Sequence, residues 1–128
     1  MSENLASILV VDDEPDMCWA LENILRPAGY AVTSTTRGTE ALELMMGSMY
    51  KLAFVDAKLP DLDGLELAAL IRQRSPHTVI VLISGYFYQE DPAIAEGLAN
   101  HLFSDFIAKP FNLDEVRSLA RQAMEPAA

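Results

Sequence analysis

Hydrophobic residues in this chain gather in short runs that end on polar or acidic residues. Between those runs they recur at helical spacing. The β-branched run Ile8-Leu9-Val10-Val11 predicts a first strand that stops at Asp12-Asp13-Glu14. Pro15 suits the first turn of a helix whose buried stripe is Met17, Leu21, Ile24, Leu25 and Ala28, and Pro27 and Gly29 stop it. Tyr30–Ser34 reads as a second strand. A second helix follows, capped by Thr36, with Ala41, Leu42 and Met45 inward. Leu52–Val55 predicts a third strand ending at Asp56. Asp63 and Glu66 form an acidic variant of the capping box for a third helix that reaches Arg74. Thr78–Ile83 is apolar throughout, as a strand buried on both faces of a parallel sheet would be. After an irregular stretch, Tyr86–Asp91, a helix runs from Pro92 to Leu98, weakened by Gly97. Asp105–Ala108 is a short fifth strand stopped by Lys109-Pro110. Asn112 and Glu115 cap a last helix that buries Leu113, Val116, Leu119, Ala120 and Ala123.

Five strands alternating with five helices predict an α/β domain, a parallel sheet covered by helices on both faces. Right-handed crossovers leave the strand order 2-1-3-4-5 as the common solution, and ligands then bind beyond the carboxyl ends where the winding reverses. That reversal lies between the first and third strands, where Asp12, Asp13 and Asp56 sit. A length of 128 residues suits one domain, residues 1–128, and 51% hydrophobic residues suffice for a packed core. The net charge of −10 opposes nucleic-acid binding by this chain, since phosphate contacts need clustered Lys and Arg. The single cysteine, Cys18, fits a reducing cytosol. Neither a signal peptide nor an apolar run of membrane length is visible, so a cytoplasmic chain without a membrane partner is expected.

An acid at the tip of a buried strand is either a turn former or a functional group. Three convergent carboxylates raise one another's pKa or demand a cation. Lys109, at the tip of the fifth strand, supplies one positive charge. A hard divalent ion would supply the rest, and Mg²⁺ prefers a few carboxylates, retained waters and phosphate oxygens. With the hydroxyl of Ser84 nearby, the set suits Mg²⁺-assisted phosphoryl chemistry. A carboxylate can itself be the nucleophile, and Asp56 is best placed for it.

Together, VVDDEP at 10–15, VDAKLPDLDG at 55–64, ISG at 83–85 and DFIAKPF at 105–111 resemble the response regulator receiver domains of bacterial two-component signalling. The resemblance runs from about Ser7 to the last helix. It implies a flavodoxin-like fold, close to that of the chemotaxis regulators, and a phosphorylation-activated switch rather than a turnover enzyme. Residue by residue, it implies Asp56 as phosphoacceptor, Asp12 and Asp13 as Mg²⁺-holding acids, and the backbone carbonyl of Lys58 as the third protein ligand. Ser84 would be the switch hydroxyl, Lys109 the partner of the phosphoryl group, and Phe106 the aromatic that swings inward. It also implies a cis Lys109-Pro110 peptide, a sensor histidine kinase or histidine phosphotransfer protein as donor, and a downstream protein or fused output domain. The responding surface would be the fourth helix, fifth strand and fifth helix. A phosphorylation-dependent homodimer is compatible with it.

The stretch between Ser84 and Lys109 is about three residues longer than the family pattern. Its aromatic start, Tyr86-Phe87-Tyr88, is either a modified output surface or a cover for the core. Lys58 and Tyr86 either screen the phosphoryl group or are a solvated lysine and a packed tyrosine. Pro15, Cys18, Trp19 and Glu22 fall off the first helix's core stripe. They read as a docking face, or, for Trp19, as partial burial against the last helix; Cys18 reads as a small packing residue. His77 and His101 read as solvated, and the six methionines as core fillers. Asp61-Leu62-Asp63-Gly64 lacks the preceding strand of a dehalogenase-type phosphatase motif and the ligand run of an EF-hand. Two other classes compete. One is an interaction module of the same fold that is never phosphorylated, which missing site residues would have favoured. The other is a Mg²⁺ phosphatase with true turnover, which needs a general acid or base not evident here.

Overall fold

The computed structural model describes residues 7–85, 92–109 and 111–124. The elements are β1 Ser7–Val11, α1 Pro15–Leu25 with a short 3₁₀ turn at Arg26–Ala28, β2 Ala31–Thr35, α2 Gly38–Gly47 and β3 Leu52–Asp56. They continue with α3 Gly64–Arg74, β4 Val79–Ser84, α4 Pro92–Ala99, β5 Asp105–Ala108 and α5 Leu113–Met124. All strand pairs are parallel, and the order is β2-β1-β3-β4-β5. This is the expected flavodoxin-like arrangement. The implied cis peptide at Pro110 and the aromatic stretch Tyr86–Asp91 lie outside the described residues.

Alternation along the strands builds two cores, one on each face of the sheet. Leu9, Val11, Ala53, Val55, Ile80, Leu82 and Phe106 pack with Ala41, Leu67, Ala68 and Ile71 of α2 and α3. Ile8, Val10, Leu52, Phe54, Val81, Ile83 and Ile107 pack with Leu21, Leu25, Val116 and Ala120 of α1 and α5. Each fully buried Leu, Ile or Phe contributes about 1.5–3 kcal/mol.

The structure corrects several side-chain expectations. Cys18, read as lying off the core stripe, is buried against β1 and β2, its Sγ 3.4 Å from the Asp12 carbonyl oxygen. Burial pushes its thiol up to about 11, so it is an inert packing group. Ala28 is exposed because the chain tightens into the 3₁₀ turn before reaching it. Leu113, at the first position of α5, is exposed, as are Met46 and Met49 around the end of α2; core filling does not describe them. Trp19 is 67% exposed, which overturns its burial against α5. Gly97, which weakens α4 by propensity, is what lets Phe103 approach: a Cβ there would lie 2.9 Å from the ring's Cζ.

The second helix is capped from a distance. Thr36 does not cap it; the N-cap position is Arg37, whose side chain makes no cap bond. Instead the carboxylate of Asp61, in the β3–α3 loop, accepts from the backbone N–H groups of Gly38 and Thr39, each at 3.0 Å, and from the Thr39 hydroxyl. The backbone bond from Thr39 leads in lowering the Asp61 carboxyl to about 2. A pKa depressed on folding contributes stability above the unfolded value near 4, lost as pH falls through about 2. Asp61→Ala should therefore lower the melting temperature by a few degrees at neutral pH. The gap from the parent should close between about pH 4 and 2 in thermal melts.

Candidate functional site

Parallel register levels the strand tips. Val11 pairs with Val55, so Asp12 stands beside Asp56. Ser84 pairs with Ala108, which places Lys109 one residue further out. The period of two then sorts the groups by face. Asp12, Asp56 and Lys109 continue the side of the sheet that packs on α1 and α5. Ser84 continues the opposite side, which also holds Phe106. The chemistry of charge and the hydroxyl–aromatic pair are thus separated by the sheet while remaining adjacent strand ends.

One oxygen from each of Asp12, Asp13 and Asp56 can come within 4.8 Å of the others. Asp12 and Asp56 are buried and Asp13 is exposed. The backbone N–H of Glu14 donates to Asp12 Oδ1 at 2.9 Å, and that of Lys58 donates to Asp56 Oδ1 at 3.1 Å. Lys109 Nζ lies 3.1 Å from Asp12 Oδ2, 3.3 Å from Asp56 Oδ2 and 2.6 Å from Glu14 Oε1. Its backbone N–H donates to the Ser84 carbonyl at 3.1 Å. An open cleft of about 410 Å³ exposes Asp13, Glu14, Asp56, Gly85 and Lys109. Ser84 is fully buried and Phe106 is buried against the α2–α3 core. The side chain of Lys58 is exposed. Sequence reasoning assigned no role to Glu14, the nearest carboxylate to Lys109 among the described residues. The signal available was an acid at a helix N-cap, where a short hydroxyl or Asp/Asn side chain is preferred.

Burial raises the Asp56 carboxyl to about 7, helped by the charge of Asp12 and opposed by the Lys58 N–H and by Lys109. Burial likewise raises Asp12. Burial also works against the Lys109 charge, but Glu14, Asp12 and Asp56 outweigh it and hold the ammonium above its ordinary range. Among the described residues, Asp12 Oδ2, although close to Nζ, has no hydrogen-bond donor in suitable geometry. A buried carboxylate oxygen without a donor, among four acids and one lysine, fits a hard cation taking oxygen ligands.

A family model, the response regulator receiver domain, matches residues 8–121. The chain belongs to the response regulator receiver domain family. Among curated relatives, this receiver domain is 37% identical over 116 residues to the response regulator protein PilR of Pseudomonas aeruginosa, covering 91% of this chain and 25% of that protein. It is 35% identical over 120 residues to the nitrogen assimilation regulatory protein NtrX of Azorhizobium caulinodans, covering 92% and 26%. The receiver domain spans about a quarter of the length of these relatives. The NtrX receiver domain of Brucella abortus superimposes with a TM-score of 0.83 at 32% identity, over 94% of this chain and 99% of that one. The response regulator TrrA of Thermotoga maritima, solved in complex with Mg²⁺-BeF, gives 0.81 at 29% identity, over 94% and 100%. No helix among the described residues is long and apolar enough to cross a membrane.

The raised Asp56 carboxyl makes the metal-free receiver domain pH-sensitive. Its folded pKa exceeds the unfolded value near 4, so the folded state holds more protons between about pH 4 and 7. Stability from this group therefore falls as pH rises through that window. An ion bound at the cluster competes with the proton. The rise in melting temperature on adding Mg²⁺ should be clearly larger at pH 8 than at pH 5, as read by thermal melts with and without chelator.

Proposed function

We propose that this receiver domain is a phosphorylation-activated switch in which Asp56 accepts a phosphoryl group from a phosphohistidine of a sensor kinase or phosphotransfer protein. The reading is carried by one observation: the buried Asp56 carboxylate lies beside Asp12, Asp13 and Lys109 and opens, with Asp13 and Lys109, onto one cleft. The N–P bond of the donor breaks as the Asp56 Oδ–P bond forms, and the imidazole leaves with the electron pair. Asp12, Asp13, Asp56 and the Lys58 carbonyl would hold Mg²⁺, which when bound supplies positive charge against the phosphoryl oxygens. Lys109 stabilises the charge that develops on those oxygens. The Lys58 N–H, already on Asp56 Oδ1, keeps the carboxylate turned toward the cleft.

The switch rests on Ser84 and Phe106. Ser84 bonds a phosphoryl oxygen and moves toward it, and Phe106 fills the space left behind. Phe106 is buried against the α2–α3 core beside the β4 tip, so its packing responds to a shift of Ser84. The shifted surface is α4, β5 and α5. It passes the signal to a downstream protein or fused output domain, through a homodimer where the phosphorylated surface pairs. The setting is cytoplasmic, a reducing compartment that suits the single free cysteine, Cys18.

Beryllofluoride with Mg²⁺ tests this. Amide resonances of Asp56, Ser84, Phe106 and Lys109 should shift together on addition. Unmoved resonances would instead favour an interaction module that is never phosphorylated.

A further inference from the structure

We propose that Glu14 is a positioning residue that holds Lys109 at the rim of the cleft and thereby slows phosphoryl acceptance at Asp56. The inference rests on the reading of Asp56 as acceptor.

Glu14 occupies the N-cap of α1, with extended backbone, yet its side chain makes no cap bond. A local rule broken in this way points to another use of the residue. The Glu14 carboxylate reaches across to Lys109, which lies ninety-five positions away in the chain, and forms the shortest of the lysine's contacts among the described residues, 2.6 Å. The other approaches of Nζ are longer: 3.3 Å to Asp56 Oδ2, and 3.4 and 3.1 Å to Asp12 Oδ1 and Oδ2. The Glu14 side chain is 58% exposed and those of Asp12 and Asp56 are buried, so the tether pulls the ammonium outward. A lysine offers three donors, and here each faces a different carboxylate. To follow charge onto phosphoryl oxygens, Nζ must weaken the Glu14 bond. An interaction made in the ground state and lost in the transition state slows the step.

Charge alone would also slow an anionic donor, so the test separates charge from reach. Glu14→Gln removes the charge. Glu14→Asp keeps it but shortens the arm by one methylene. Asp16→Asn removes an exposed acid two residues further on. Phosphorylation by acetyl phosphate with Mg²⁺ is measured at about 1 M salt, where the screening length is about 3 Å. Glu14→Gln and Glu14→Asp should both accelerate uptake, roughly three- to tenfold, while Asp16→Asn stays at the parental rate. In the metal-free protein, the Lys109 ¹⁵Nζ resonance should move in both Glu14 variants and stay fixed in Asp16→Asn.

An unmoved Lys109 resonance in the Glu14 variants overturns the tether whatever Asp56 does. Parental uptake by Glu14→Asp overturns it in favour of charge. A moved resonance with no uptake by the unsubstituted protein is a different failure. It upholds the tether, removes its kinetic role, and sinks the acceptor reading.

Discussion

A receiver domain carrying Asp56→Asn takes up no phosphoryl group from acetyl phosphate, and without divalent cations it melts at a higher temperature than the parent. The two effects share one cause. Asp56 is the buried carboxylate at the end of β3, and burial beside Asp12 lifts its carboxyl to about 7. An amide cannot form an acyl phosphate, so uptake is lost entirely. The same amide carries no charge to desolvate and no repulsion toward Asp12, and it can still accept from the Lys58 N–H. The penalty relieved is on the order of a few kcal/mol at alkaline pH. It should shrink as pH falls toward 4, where Asp56 of the parent is itself protonated. Intact mass after incubation with the donor reads the first effect, and chelated thermal melts at two pH values read the second. A variant that still gains phosphoryl mass moves the acceptor to another residue and overturns the assignment. A variant that is less stable than the parent overturns the electrostatic account of the cluster.

Gly64→Ala should destabilise the domain by more than about 3 kcal/mol, or prevent folding. Gly64 opens α3 directly against the end of β3, and its N–H donates to the Ala57 carbonyl at 3.0 Å. A Cβ there would fall on the Asp56 carbonyl oxygen and lie 2.6 Å from Ala57 Cα. These are backbone atoms, so no side chain can swing aside. Either α3 slides away or the acidic loop shifts, and both disturb the carboxylate that the site depends on. Gly47→Ala is the contrast. It ends α2 with nothing within 4 Å of an added Cβ, so it should be neutral or stabilise by about 0.5–1 kcal/mol. Urea midpoints of the two variants give the comparison. If Gly64→Ala unfolds at the parental midpoint, the close approach of α3 to the acidic strand tip is not what holds that loop.

The elements were legible because each leaves a local periodic trace. Ile8–Val11 and Val79–Ile83 announce strands by composition, and the alternation within them assigns each residue a face. Acids and a lysine immediately after such runs then have to converge, since parallel register leaves little freedom at strand tips. Helix faces were read less well. On α1, Cys18 shares the face of Leu21 and Leu25 by its spacing and is buried, whereas Ala28 leaves that face because the chain tightens into a 3₁₀ turn before it. Leu113 and Met46 carry the same hydropathy as core residues, but they stand at helix ends that no neighbour among the described residues covers.

What the chain determines by itself is the parallel sheet and the grouping of Asp12, Asp13, Asp56 and Lys109 at one edge of it. Both follow from short-range patterns once right-handed crossovers and parallel register fix how the strands line up. What only the tertiary structure decided is which partner each long or mobile side chain takes. Asp61 caps a helix more than twenty positions upstream, and Glu14 turns from its own helix to reach Lys109. Such choices are made by distances between segments remote in sequence, and a carboxylate offers the same chemistry to every donor until folding brings one of them near.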